Sequence, residues 1–133
     1  MSSSKFLLSA FLLGAALFAA PAYAQTSGSA SAITATLAAT PVSIKSKGGF
    51  ITALDCRNPD ATNDAYVQFF DASSVTLGTT SPKFSVYVPH ASSKQLTWPI
   101  GANFYTAIQV AATTTYNGAT PAVTALYCNI WYN

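Results

Sequence analysis

The stretch that decides the fold spans residues 66–89, YVQFFDASSVTLGTTSPKFSVYVP. Apolar and polar side chains alternate at both of its ends, in residues 67–69 and 84–88, and the residues between them are mostly small, polar or turn-forming. Alternation with a period of two is typical of strands that bury one face. The stretch therefore predicts two β-strands joined by a long turn.

The same alternation recurs in the other short runs from residue 41 onward. The apolar residues that share a parity are, run by run, Phe50, Leu54 and Cys56; Leu96 and Trp98; Phe104, Ile108 and Val110; and Leu126, Cys128, Ile130 and Tyr132. Gly, Pro, Asn and Asp fill the gaps between runs, as turns require. We expect an all-β domain over residues 41–133, an antiparallel β-sandwich of jelly-roll or immunoglobulin-like type with six to eight strands.

The N-terminus has the three-part organisation of a secretory signal peptide. Lys5 precedes an apolar run, residues 6–20, which ends at Pro21 and the small-residue triplet Ala22-Tyr23-Ala24. We expect cleavage between Ala24 and Gln25, a secreted or periplasmic location, and no membrane span in the mature chain. Residues 25–40 are rich in Ser, Thr and Ala and uncharged, which favours a flexible or extended leader, or a strand that adds to a sheet edge.

The charge of the chain argues against nucleic acid as a partner. Of the six Lys and Arg residues, Lys5 precedes the predicted cleavage site, so that five remain against four Asp, a net charge of about +1. Neutralising phosphates requires clustered positive charge, and this chain has none. Its polar positions are mostly Ser and Thr, which suits a neutral extracellular surface.

Two cysteines, Cys56 and Cys128, allow one pairing. In an exported chain an even number of cysteines favours a disulfide, with two buried free thiols as the alternative. Both residues lie on the apolar parity of their strands. We therefore expect a Cys56–Cys128 bond inside the core that links the first long strand to the last.

Groups suited to catalysis or metal binding are scarce. His90 is the single histidine, Glu is absent, and no Gly-x-Ser-x-Gly motif occurs, so we expect no catalytic residue, no cofactor and no enzymatic activity. Two distant cysteines and one histidine do not form a zinc motif. The loop within residues 55–64 collects oxygen-bearing side chains that suit either calcium or turn formation: Asp55, Asp60, Asn63 and Asp64.

Aromatic residues of the parity opposite to the core are the remaining candidates for interaction. They are Tyr66, Phe70, Tyr87, Tyr105, Tyr127 and Trp131. On an exposed sheet face, Tyr and Trp can stack on sugar rings or anchor a protein contact. The alternative is that a second layer or a loop covers these residues.

Five short motifs lie within residues 48–133. They are YVQFFDA at 66–72, TLGTT and PKF within 76–84, AIQVAATTT at 107–115 and CNIWY at 128–132. Together they resemble a recurrent small β-domain encoded in structural gene clusters of tailed bacteriophages. The resemblance implies a β-sandwich with an assembly or surface role and supplies no catalytic residues. Because phage structural proteins do not usually carry a cleavable signal, we expect the same kind of domain to be used outside the cytoplasm.

These observations predict a secreted, non-enzymatic β-sandwich that acts by surface interaction or as a subunit of an extracellular assembly. The partner would be a protein, including a second copy bound through the leader, or a glycan. A glycan-binding module that uses the exposed aromatics is the alternative function.

Overall fold

The computed structural model describes residues 31–133, in which all regular structure is β-strand. The eight strands are β1 (Ser31–Leu37), β2 (Val42–Lys45), β3 (Gly49–Asn58), β4 (Ala65–Phe70), β5 (Phe84–Val88), β6 (Ser92–Phe104), β7 (Ile108–Thr113) and β8 (Leu126–Tyr132). Within this part of the chain there is no helix of the length and hydrophobicity needed to cross a membrane. The predicted signal peptide, residues 1–24, and its cleavage site lie outside the described residues.

The strands form two antiparallel sheets of four. The first sheet has the order β1-β8-β3-β6 and the second sheet has the order β2-β7-β4-β5. The chain passes from one sheet to the other at every connection except β4–β5, the hairpin with which the sequence analysis began. The antiparallel β-sandwich is confirmed, and its strand order is that of a jelly roll.

The two sheets face each other across an apolar core. Val67 and Phe69 of β4 are fully buried, and their cross-strand partners on β5 are Val86 and Phe84. The Phe69 and Phe84 rings stack with centroids 4.7 Å apart, and Trp98 of the first sheet lies 5.6 Å from Phe84. Full burial of a phenylalanine such as Phe69 stabilises the fold by about 1.5–3 kcal/mol.

The predicted disulfide is confirmed. Cys56 of β3 and Cys128 of β8 are directly opposite each other in the first sheet, with Cα atoms 4.1 Å apart, and both are buried. They are separated by 72 positions in the chain. Closing a loop of that length restricts the unfolded chain and stabilises the fold by up to about 4 kcal/mol.

A bulge in β3 changes the predicted core parity. The pairing of β3 with both neighbours shifts between Ile51 and Ala53. As a result Ile51 is fully buried, whereas Phe50, predicted to share the parity of Leu54, is 41% exposed. The extra residue in the bulge reverses the faces on its two sides, and alternation alone does not reveal where such a residue stands.

Residues 31–37, which the sequence assigns to a flexible or extended leader, are the edge strand β1. Its register with β8 runs from Ser31 opposite Tyr132 to Leu37 opposite Leu126. Leu37 and Ala35 point into the core and are buried. The sandwich therefore includes residues before position 41, and β1 pairs with β8 of the same chain.

The outer face of the second sheet is covered by two long loops, the β4–β5 loop (71–83) and the β7–β8 loop (114–125). The side chain of Gln68 donates to the carbonyls of Thr115 and Gly118, both at 3.1 Å. Gln109 donates to the carbonyl of Ser73 at 2.8 Å. Four outward residues of this sheet are buried as a result: Gln68, Phe70, Ala111 and Thr113. Phe70, one of the candidate interaction residues, is thus buried, which agrees with the alternative that a loop covers an outward aromatic residue.

Candidate functional site

Within residues 31–133, no loop covers the outer face of the first sheet in this way, and we call it the open face. Three cross-strand rows of outward side chains make it up. In the order β1, β8, β3, β6, they are the tyrosine row of Thr36, Tyr127, Arg57 and Ser93; the central row of Thr34, Asn129, Asp55 and Gln95; and the tryptophan row of Ala32, Trp131, Ala53 and Thr97.

A groove of about 400 Å³ lies on this face, over β3 and β6. Trp131 of β8 lines it together with Ala53 and Asp55 of β3 and Gln95 and Thr97 of β6. Trp131 is half-buried, so that part of its indole ring remains accessible. The groove thus combines one aromatic wall with three side chains that can form hydrogen bonds.

Local sequence explains why space remains beside Trp131. Its two cross-strand neighbours are Ala32 and Ala53, whose side chains are too short to fill the face around an indole ring. The hydroxyl of Thr52, in the β3 bulge, donates to the carbonyl of Trp131 at 3.2 Å. A side chain of the bulge is therefore hydrogen-bonded to the β8 backbone at Trp131, the residue that forms the wall of the groove.

The charges of the open face are few and unpaired. Asp55 is the charged side chain of the groove, and Arg57 lies two residues further along β3, in the tyrosine row. Neither forms an ion pair within residues 31–133. The carboxylate of Asp55 is therefore available as an acceptor, with the amide of Gln95 directly opposite it on β6.

The structure divides the six predicted interaction aromatics among four environments. Tyr127 and Trp131 lie on the open face, Phe70 is buried, and Tyr105 lies in the turn after β6. Tyr66 and Tyr87 are cross-strand partners on the second sheet. The sequence placed all six opposite to the core, but it did not indicate which of them share a surface.

Tyr66 and Tyr87 form a cluster with Tyr116 of the β7–β8 loop. The ring centroid of Tyr66 lies 5.4 Å from that of Tyr87 and 6.2 Å from that of Tyr116. We call this group the tyrosine cluster. Its rings pack against one another, and none of the three tyrosines lines the groove beside Trp131.

Asp64 joins the tyrosine cluster to the turn that contains His90. Its carboxylate accepts hydrogen bonds from the Tyr87 hydroxyl at 2.6 Å and from the His90 backbone N–H at 2.9 Å, and it lies 2.7 Å from His90 Nδ1. The hydrogen bond from Tyr87, followed by those from His90, lowers the pKa of Asp64 from 3.8 to about 2. His90 is exposed, and its contact with Asp64 was not foreseen because the two residues are 26 positions apart in the chain.

The loop proposed to suit either calcium or turn formation uses its oxygens to hold its own backbone. Asp60 accepts from the backbone N–H groups of Thr62 and Asn63 and from the hydroxyl of Thr124, at 2.8–2.9 Å. These bonds lower the pKa of Asp60 well below its ordinary value. Asp55 lies on the open face and Asp64 faces the tyrosine cluster, so the carboxylates do not converge. Among residues 31–133, no three His, Cys, Asp or Glu side chains are grouped as metal ligands.

Sequence reasoning identified Trp131 and Tyr127 but missed the polar residues beside them. Asp55, Gln95, Thr97 and Asn129 all have outward parity, which was the available signal. Which strands are neighbours, however, depends on the jelly-roll order. Gln95 and Asp55 meet because β6 pairs with β3, a contact between residues 40 positions apart that no local pattern encodes.

Comparison with known proteins adds no family to this description. No protein-family model and no curated protein matches the sequence. The resemblance to a phage structural β-domain therefore stays a prediction.

Proposed function

We propose that this chain is an exported, non-enzymatic binding domain that recognises a neutral glycan through its open face. The observation that carries the proposal is the groove of about 400 Å³ in which Trp131 stands beside Asp55, Gln95 and Thr97. The alternative function in the sequence analysis thereby becomes the leading one, as a specific form of the surface interaction expected there.

The chemistry of the groove matches that of a sugar ring. A pyranose has an apolar face of C–H groups and a rim of hydroxyls that donate and accept hydrogen bonds. An indole ring offers a flat apolar surface for the first, and a carboxylate, an amide and a hydroxyl serve the second. Binding sites of this type combine apolar walls with a few polar groups that fix orientation.

Charge favours a neutral ligand over an acidic one. Asp55 lines the groove and has no cationic partner within residues 31–133. A carboxylate on a ligand placed beside it would be repelled, and like charges brought together in this way reduce affinity. A neutral sugar instead donates hydrogen bonds from its hydroxyl groups to the Asp55 carboxylate.

Export agrees with this proposal. The Cys56–Cys128 bond is of the kind that forms and persists in oxidising compartments. The predicted signal peptide would deliver the chain to such a compartment. A glycan on a cell surface or in the surroundings would then be accessible to the open face.

Calorimetric titration with neutral oligosaccharides of β-1,4-linked glucose and of β-1,4-linked N-acetylglucosamine tests the proposal. We expect Trp131→Ala, which removes the stacking surface, to weaken binding about 10-fold or more. Ala53→Leu, which fills the groove without touching the indole, should weaken it similarly. Tyr105→Ala is the matched control, an exposed aromatic outside the open face, and should bind as the unchanged protein does.

Three results would contradict the proposal. One is no binding of either neutral series by the unchanged protein. Another is equal binding of β-1,4-linked oligoglucuronates, the acidic counterparts of the glucose series, because Asp55 should disfavour a carboxylate in the groove. The third is equal binding by the three variants, because the ligand would then contact another surface.

A second candidate function, as a subunit of an extracellular assembly, is favoured by an apolar tip at the edge of the first sheet. Ile100 of β6 is 94% exposed, and Phe50, next to Gly101, is 41% exposed. Exposed apolar side chains at a sheet edge favour association between chains. Light scattering over a concentration series tests it: association that Ile100→Asp abolishes supports this candidate, and a monomer at high concentration refutes it.

A further inference from the structure

The groove accounts for Trp131 but leaves unexplained the second exposed aromatic residue of the open face. Tyr127 is 58% exposed and lies on the same strand and the same face as Trp131. They are four positions apart, which at the rise of an antiparallel strand is about 14 Å along β8. One sugar ring cannot contact both side chains, whereas an oligosaccharide can.

The row between the two aromatics is polar across β8, β3 and β6. Asn129, Asp55 and Gln95 occupy it, on three neighbouring strands. The hydroxyl of Thr34 donates to Asn129 Oδ1 at 2.7 Å, which orients the amide and leaves its N–H groups as donors. The central row thus offers donors and acceptors midway between two aromatic surfaces.

We infer that the open face has two sugar-stacking subsites, at Trp131 and Tyr127, and that its ligand is an extended neutral oligosaccharide lying along β8. This inference rests on the proposed function, and it specifies the class of glycan and the direction in which it binds. The central row forms hydrogen bonds to the sugars between the two stacked rings. Arg57, opposite Tyr127 on β3, supplies further donors at that end.

Short side chains beside β8 suit such a ligand. On either side of Tyr127 along its row stand Thr36 and Arg57, and the outward residues of β1 are short, Ala32, Thr34 and Thr36. Within residues 31–133, the β1 side of a ligand lying along β8 is therefore open. A site for a single sugar would instead enclose its ligand on all sides.

The test is the dependence of affinity on ligand length, measured with the same two neutral β-1,4-linked series from disaccharide to hexasaccharide. For the unchanged protein we expect the hexasaccharide to bind on the order of tenfold more tightly than the disaccharide, because a second contact on one ligand adds avidity. Tyr127→Ala should remove this gain, so that long and short ligands bind alike. Tyr127→Phe keeps the ring and should retain the gain.

Controls separate stacking from general damage. Tyr87→Ala removes an exposed tyrosine from the second sheet and should leave the length dependence as it is in the unchanged protein. Thermal unfolding of each variant establishes that it is folded. Because Tyr127 is largely exposed, its replacement should change stability by no more than about 0.5 kcal/mol, equivalent to about a twofold change in an equilibrium constant.

The outcomes distinguish this inference from the function on which it rests. If the ligands bind and depend on Trp131, but affinity does not increase with length and Tyr127→Ala has no effect, the second subsite is refuted and the proposed function stands. If no ligand of any length binds, both are refuted. A gain with length that survives Tyr127→Ala also overturns the inference, since another residue would then hold the far end.

Discussion

The outer faces of the two sheets differ in cover, although their strands alternate in the same way. On the second sheet, two loops cross the face, and Gln68 and Phe70 are buried beneath them. On the first sheet, in equivalent outward positions, Tyr127 remains exposed and Asp55 borders a groove. The parity of a residue along its strand thus assigns it to one face of the sheet. Whether an outward residue is buried or exposed depends on the loops that cross that face.

The two faces are also stabilised differently. The second sheet is packed on both sides, as buried sheets in layered folds are. The first sheet is packed on one side and is held by a disulfide between its two central strands, β8 and β3. This arrangement leaves the open face free for a ligand without leaving its strands loosely held.

The largest expected difference in the free energy of unfolding is between the variants Phe70→Ala and Tyr127→Ala. Each replaces an aromatic residue of outward parity. Phe70 is fully buried under the loops, so we expect its removal to lower the free energy of unfolding by about 3–5 kcal/mol. Tyr127 is exposed, so its removal should cost no more than about 0.5 kcal/mol. Denaturant unfolding of both variants measures this. Similar losses for the two would show that the faces are not covered differently.

Removing the disulfide should have the next largest effect. In the double variant Cys56→Ala with Cys128→Ala, the unfolded chain regains its freedom, and we expect a loss of up to about 4 kcal/mol. Hydrogen exchange measures it: because the bond acts on the unfolded chain, the amides of both sheets that exchange by global unfolding should lose protection by the same amount. A loss confined to β3 and β8 would show that the bond acts instead on the folded first sheet.

A smaller effect on stability is expected when a glutamine is replaced on the outer face of either sheet. Gln68→Ala removes a buried amide that donates to the carbonyls of Thr115 and Gly118, which should cost about 1–3 kcal/mol. Gln95→Ala on the open face removes no hydrogen bond within residues 31–133 and should be nearly neutral in stability. Thermal unfolding compares them, and a neutral Gln68→Ala would mean that the β7–β8 loop does not depend on this contact.

The smallest expected effect is a loss of stability when the pH is lowered. The pKa of Asp64 is lowered to about 2, first by the Tyr87 hydroxyl, and the pKa of Asp60 is lowered by backbone N–H groups. Each carboxyl binds a proton less readily when the chain is folded, so its stabilisation is complete above about pH 4 and is lost as the pH falls toward about 2. We expect the unfolding midpoint to fall over that interval, and less steeply in Asp64→Asn.

The control for this pH dependence is Asp55→Asn, which removes a carboxyl from the open face where no hydrogen bond within residues 31–133 depends on it. Its midpoint should follow the same pH profile as that of the unchanged protein. If Asp64→Asn and Asp55→Asn give the same profile, the bonds to Tyr87 and His90 do not contribute to acid stability.

Much of the fold could be predicted because its signals are local. Val67, Phe69, Val86 and Val88 alternate without interruption, and the structure buries all four. The pairing of Cys56 with Cys128 followed from their number and parity. The bulge at Thr52 could not be predicted, because one extra residue reverses the parity of Phe50 without leaving a composition signal.

The site was less predictable because it depends on contacts between distant strands. Trp131 and Tyr127 stood out as outward aromatics, yet so did Phe70, which the loops bury. The meeting of Asn129, Asp55 and Gln95 in one row requires β8, β3 and β6 to be neighbours, and that order is set by the packing of the whole sandwich. Likewise, β1 is a strand because β8 offers it an edge, a property that residues 31–37 do not encode by themselves.

The most direct test of the central claim, that the open face is the binding surface, is a nuclear magnetic resonance titration of the folded protein with the neutral β-1,4-linked hexasaccharides. The account predicts shifts of the Trp131 indole N–H and of the side-chain amides of Gln95 and Asn129, while the buried amide of Gln68 on the second sheet remains unchanged. Shifts confined to the tyrosine cluster, or no shifts at saturating ligand, would contradict it.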